Sequence, residues 1–242
     1  MPGLACQSPT SQDWVAVRTV SAGVTPGCYN AGVTDSTFAV VDVETSGLST
    51  RRHRILQIGV VTVASDGTVV DQWCSLVKLR WRFARLGPTR IHGIRRRQLR
   101  NAPTIEDAMG NVSRLVTGRI LVGHNLAFDA EFLERAARKS RSPLDVSGKL
   151  CTLWLSRWLD PERTETHRLS DVCARYGVAL DRPHDALVDA LATAQVLPHL
   201  LDGHGIDLTC STNPASSLRP LFMPASPAHR RSGHLRRLMP QL

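Results

Sequence analysis

Five side chains in three separate stretches have the types and spacing to do chemistry. They are Asp42 and Glu44 in "VVDVETSGLS", Asp129 in "LVGHNLAFDAEFL", and His184 and Asp189 in "HDALVDA". Asp42 and Glu44 stand two apart in an otherwise apolar run that reads as a strand, so both project from one face near its end. Buried carboxylates are costly unless something pairs with them. Two together raise each other's pKa unless a cation neutralises them, and hard divalent cations take oxygen ligands. Alone, a D-x-E pair at a strand end is more often a solvated turn than a metal site. Asp129, placed at the start of a helix after His124 and Asn125, reads alone as a first-turn acid interacting with the helix dipole. Asp189 sits among Ala186, Leu187 and Ala190, where a carboxylate needs a partner. His184, after Pro183, reads alone as a helix-cap histidine.

The elements that must position these groups are legible from periodicity. "TFAVVDVET", "RILQIGVVTVAS" and "GTVVDQWCSLVKL" read as three successive strands, with the turn signal "SDG" between the last two. "NAPTIEDAMGNVSRLV" reads as a helix capped at Thr104, with Asp107 three residues on. "RILVGHN" is a short apolar strand, and "AFDAEFLERAARKS" a helix with Phe128, Phe132, Leu133 and Ala136 at core spacing. "SGKLCTLWLSRWL", "RLSDVCARYGV" and "HDALVDALATAQVLPHL" read as largely helical, with Gly177 as a C-cap for the second. Strands followed by alternating strand and helices indicate a single α/β or α+β domain.

The chain has 242 residues and carries a net charge of +9, with arginine far outnumbering lysine. Such a balance favours a polyanionic partner, nucleic acid first, although an arginine-rich composition alone produces basic proteins. Cys6, Cys28, Cys74, Cys151, Cys173 and Cys210 form no C-x-x-C pair, which argues against a zinc cluster or a disulfide framework. No apolar run is long enough to span a bilayer and no signal peptide is evident, so no membrane role and a cytoplasmic location are expected. Residues 1–35 read as a flexible leader, 36–202 as the folded domain, and 203–242 as a disordered basic tail rich in Pro, Ser and Arg.

Taken together, the three stretches resemble the motifs of the DEDDh (DnaQ-like) 3′–5′ exonucleases, a family that includes the proofreading epsilon subunits of bacterial DNA polymerase III and RNase T. "IHGI" at 91–94 and "NAPT" at 101–104 also look like the family's stretch between its first two motifs. The resemblance covers about residues 37–200. It implies a ribonuclease H-like fold, a mixed five-stranded sheet flanked by helices. It implies that Asp42, Glu44, Asp129 and Asp189 hold two divalent ions, Mg²⁺ or Mn²⁺, and that His184 is the general base. Thr45, Leu48, His124 and Asn125 match substrate-contacting positions. The implied reaction is hydrolysis of the terminal phosphodiester of DNA, at single-stranded or frayed 3′ ends, to nucleoside 5′-monophosphates in proofreading or repair. An exoribonuclease of the RNase T or oligoribonuclease type is the alternative. A polymerase subunit is the candidate protein partner. A non-catalytic polymerase-associated module is a weaker reading, because the acids and the histidine are all retained.

The chemistry suits these residue types. Phosphodiester hydrolysis builds negative charge at phosphorus, which two ions about 3.5–4 Å apart can stabilise on both the attacking and the leaving oxygen. An imidazole ordinarily titrates near 6.5 and can accept the water's proton near neutral pH. Residues 78–100 depart from the family's usual look: Arg95, Arg96 and Arg97 follow "HGI" where a threonine and acids are common. That stretch carries Lys78, Arg80, Arg82, Arg85, Arg90 and four further arginines but no acid, with Trp81 and Phe83 interleaved. It reads either as a phosphate-tracking surface or as a solvated connector.

Overall fold

A computed structural model describes residues 36–80, 84–206 and 218–223. The assigned leader, the pair Trp81 and Phe83, and most of the assigned tail lie outside the described residues. The elements are β1 (Ser36–Thr45), β2 (Ile55–Ala64), β3 (Val69–Leu76), α1 (Thr89–His92), α2 (Arg96–Leu99), α3 (Ile105–Val116), β4 (Ile120–Gly123), α4 (Leu126–Ser140), β5 (Gly148–Cys151), α5 (Thr152–Trp158), α6 (Leu169–Arg175) and α7 (Ala186–Gly203).

The five strands form one mixed sheet in the order β3-β2-β1-β4-β5. β1, β2 and β3 pair antiparallel, while β1–β4 and β4–β5 pair parallel. β1 is therefore central, and alternation along it divides the core. Ala39, Val41 and Val43 pack against α3 and α4, whereas Phe38 and Val40 pack with residues of α5, α6 and α7. Helices thus cover both faces, the arrangement that lets a central strand be apolar along its length. The hairpin between β2 and β3 closes at Asp66–Gly67, with the Ala64 N–H donating to the Thr68 carbonyl at 2.9 Å. The Thr104 cap forms as expected: its hydroxyl accepts from the Asp107 N–H at 3.2 Å, and Asp107 returns a bond to the Thr104 N–H.

The structure departs from the residue-level expectation in three places. "SGKLCTLWLSRWL" is not one helix: Gly148–Cys151 extends the sheet as β5 before α5 begins. The arginine stretch contains α1 and α2. Residues 218–223 of the assigned tail lie on the domain, with Leu218 fully buried and the Met223 N–H donating to the Lys149 carbonyl at 2.8 Å. No helix among the described residues is long and apolar enough to cross a membrane.

Candidate active site

The parallel pair β1–β4 ends at the site, where the carboxyl ends of strands in open α/β sheets place ligands. The β1–β4 ladder stops at Val40↔Val122. Beyond it β1 has no strand on that side, and the Val43 N–H donates instead to Asp129 Oδ1 at 3.1 Å. α4 thus delivers Asp129, 3% exposed, to the end of the strand that carries Asp42 and Glu44. From the other face α7 delivers Asp189, 8% exposed. Its start is pressed against β2 at Gly59, where a Cβ would lie 2.3 Å from the Ala186 carbonyl oxygen. No side chain fits there, so α7 approaches the sheet closely enough for Asp189 to reach Glu44.

His184 precedes α7 rather than capping it. Asp185 is the cap, accepting from the Leu187 N–H at 3.2 Å. His184 has φ 69°, a left-handed conformation uncommon outside glycine. That turn folds its N–H back onto Asp189 Oδ2 at 2.9 Å and leaves the ring exposed beside the acids. Ligand atoms of Glu44, His184 and Asp189 all lie within 4.8 Å of one another.

The electrostatics show how close the acids are. Burial first, then the charges of Asp129, Asp189, Glu44 and Asp185, push the Asp42 carboxyl well above its ordinary range. Burial, then the charges of Asp189, Asp129 and Asp185, push Glu44 to about 8. Asp129 rises to about 8 through burial and Asp189, against the opposing Val43 bond. Asp189 rises to about 6, chiefly by burial. Asp189 Oδ1 is buried and has no hydrogen-bond partner among the described residues. Natural proteins rarely leave such an atom unsatisfied. An all-oxygen carboxylate set with an orphaned buried oxygen fits a hard divalent cation, with the imidazole at its edge.

Burial and this repulsion set a pH dependence. In the unfolded chain these carboxyls titrate near 4, to order of magnitude. Folded, Glu44 and Asp129 hold their protons to about 8 and Asp189 to about 6. Between those limits the folded state binds more protons than the unfolded state, so stability falls as pH rises. Thermal melts in EDTA are expected to show a melting temperature that drops steadily from about pH 5 to pH 8. Mn²⁺ is expected to reverse the drop, with a larger gain at pH 8, because the cation replaces the protons.

The predicted substrate-contacting residues divide. Leu48 is 84% exposed on the loop after β1. The buried Thr45 hydroxyl donates to the Gly47 carbonyl at 2.9 Å and so shapes that loop. Asn125, in left-handed conformation at φ 67°, is exposed and lines an open cavity of about 640 Å³ with His124, Leu153 and Arg157. His124 lines the same cavity, with its ring nitrogens engaged within the protein. Its Nε2 lies 2.9 Å from the His167 carbonyl, so it carries the proton and donates there, and Nδ1 faces the Thr152 hydroxyl at 3.0 Å. Burial lowers its pKa. With both nitrogens spent, His124 ties β4 to α5 and the 167 loop and offers a substrate no hydrogen bond.

Gln57 was not singled out from the sequence. It lies opposite Glu44 in the β1–β2 register. Its Oε1 accepts from the Ala186 N–H at 3.3 Å and its Nε2 donates to Asp185 Oδ1 at 3.4 Å. The signal was one amide inside the apolar "RILQIGV". Gln57→Leu takes this partner from the buried Ala186 N–H and is expected to cost about 1–3 kcal/mol in chemical denaturation.

A family model described as an exonuclease matches residues 39–197. The chain is 31% identical over 180 residues to the "DNA polymerase III PolC-type" protein of Bacillus subtilis, covering 73% of this chain and 12% of that protein. It is 32% identical over 168 residues to the protein of the same name from Thermotoga petrophila, covering 69% and 12%. The chain therefore spans only 12% of the length of either relative. Among solved structures it is similar to exonuclease X in complex with 5′ overhanging duplex DNA, with TM-score 0.55 and 23% identity, covering 74% of this chain and 99% of that one. It is also similar to a 3′-exonuclease in specific recognition of the 3′ end of a histone mRNA stem-loop, with TM-score 0.59 and 18% identity, covering 71% and 84%. These structures share its ribonuclease H-like fold.

Proposed function

The chain belongs to the exonuclease family whose model spans residues 39–197, and from that premise we propose that it removes nucleotides from the 3′ end of DNA in the presence of divalent cations. The observation that supports this most is the meeting of Asp42, Glu44, Asp129 and Asp189 from three distant stretches, with a buried carboxylate oxygen left unpartnered beside an exposed imidazole. In this reading the four carboxylates hold two ions, Mg²⁺ or Mn²⁺, which when bound neutralise the phosphodiester and acidify water. His184, exposed and held by its backbone bond to Asp189, accepts the proton from the attacking water. Leu48 stacks against the terminal base, a grip that tolerates any sequence. Asn125 contacts the strand from the cavity side.

DNA is favoured by the similarity to proteins named as DNA polymerases. The same similarity supports a polymerase as protein partner. The likeness to a 3′-exonuclease of histone mRNA makes RNA the second substrate. Matched DNA and RNA oligonucleotides, labelled at either end and incubated with Mg²⁺ or Mn²⁺, decide between them. Early release of labelled mononucleotide from the 3′-labelled DNA, at a higher rate than from RNA, is the expected result. Faster release from RNA reassigns the substrate, and early release of the 5′ label overturns the polarity.

A further inference from the structure

Residues 84–100 of the arginine stretch after β3 are pinned to the site's mouth rather than forming a solvated connector. Ile94, Leu99 and Ala102 bury against Leu56 and Leu76 of the sheet in a small core of their own. His92 secures the turn, its Nδ1 accepting from the Ile94 N–H at 3.0 Å and its Nε2 lying 3.1 Å from the Leu86 carbonyl. At Gly87, φ 75°, a Cβ would lie 2.3 Å from the Ser46 carbonyl oxygen. Ser46 is two residues beyond Glu44. Arg95 and Arg97, on this rigid support, are exposed.

Ser46 also anchors a second group of cations. Its N–H donates to the Arg54 carbonyl at 2.9 Å and its hydroxyl accepts from the Arg54 N–H at 3.0 Å. On α4, Arg135 and Lys139 follow Glu131 at i+4 and i+8, and Glu131 is bonded to Thr50 of the same loop at 2.7 Å. Lys139 lies in the field of Arg135, Arg54 and Arg80, and burial and then those charges lower its pKa. Arg135 Nε is buried without a hydrogen-bond partner among the described residues. None of Arg54, Arg80, Arg135 and Lys139 forms an ion pair with an acid among the described residues. Like charges from three segments lie near one another without an ion pair to an acid among the described residues, an arrangement that repels itself unless a polyanion lies across it.

We infer that these two groups form one basic belt beside the loop that carries Leu48, and that the belt binds the phosphodiester backbone of the substrate strand upstream of its 3′ end. The inference rests on the proposed nuclease reading for the identity of the strand. The contact is to phosphate and carries no base preference. It makes affinity rise with strand length and fall with salt.

Equilibrium binding in EDTA tests this without requiring catalysis. Fluorescence anisotropy of the full chain is measured with single-stranded DNA of about 20 and about 4 nucleotides at several salt concentrations. The wild type is expected to bind the longer strand at least tenfold more tightly. Arg80→Glu with Lys139→Glu is expected to remove most of that preference and to flatten the slope of log K against log salt by about 1.4, at ~0.7 per lost contact. Arg95→Gln with Arg97→Gln, a milder change at exposed positions, is expected to act in the same direction. Equal affinity of the wild type for both strands, or unchanged affinity and slope in both double variants, overturns the belt. A protein that binds the longer strand through these residues but releases no nucleotide with metal present contradicts the nuclease reading instead.

Discussion

Asp189→Asn is expected to reduce nucleotide release by at least ~10³-fold while raising the melting temperature in EDTA. The two effects share one cause. Asp189 Oδ1 is buried and unpartnered, and the carboxyl titrates at about 6, so near neutrality the empty site holds a charge that the fold disfavours. Asparagine keeps the oxygen that accepts from the His184 N–H. It places an amide donor where the buried, unpartnered Oδ1 stood. Each kcal/mol so gained raises the melting temperature by about 2–4 °C in a domain of this size. The neutral amide removes one anionic ligand from the cation site and with it the charge that stabilises the transition state. Opposite signs for stability and activity mark a functional carboxylate rather than a structural one. A structural carboxylate would lose both. Thermal melts and nucleotide release on the same preparations read the pair of effects.

His184→Asn is expected to lower kcat by roughly 10²–10⁴-fold with little change in stability. Asparagine is the apt replacement because it tolerates the left-handed φ of 69° that His184 adopts. It preserves the backbone N–H that binds Asp189 Oδ2 and removes only the proton acceptor. Its KM for the strand is expected to stay within about twofold, since the ring is argued to act in the chemical step alone. Added imidazole is expected to restore part of the rate. A variant that keeps full kcat would show that His184 is an exposed residue of the loop before α7 and nothing more.

Much of the site was legible because its chemistry conflicts with its surroundings. Asp42, Glu44 and Asp189 are acids in runs that otherwise pack in the core, and such conflicts mark function. The main strands and helices were legible because their periodicity is long: β1, β2, α3 and α4 each span at least ten residues. β5 was not, because four residues with Leu150 and Cys151 buried show no alternation. Only the partner β4 distinguishes such a run from the first turn of the following helix. α1 and α2 hid for a related reason, with Ile94 and Leu99 single apolar residues among arginines and their burial supplied by Leu56 and Leu76. The partners of His124 were not legible because sequence gives a ring but not its hydrogen bonds. The carbonyl of His167, forty-three residues away, fixes its tautomer.

In the proposed function these carboxylates form a divalent-cation site at which the 3′-terminal phosphodiester is cleaved. The most direct measurement is release of labelled mononucleotide from a 3′-labelled single strand by the wild-type chain, with Mn²⁺ and with EDTA, beside Asp189→Asn. Release of nucleoside 5′-monophosphate by the wild type with Mn²⁺, and by neither the EDTA sample nor the variant, is the predicted result. Release that survives EDTA or Asp189→Asn, or no release by the wild type from either DNA or RNA, would contradict it.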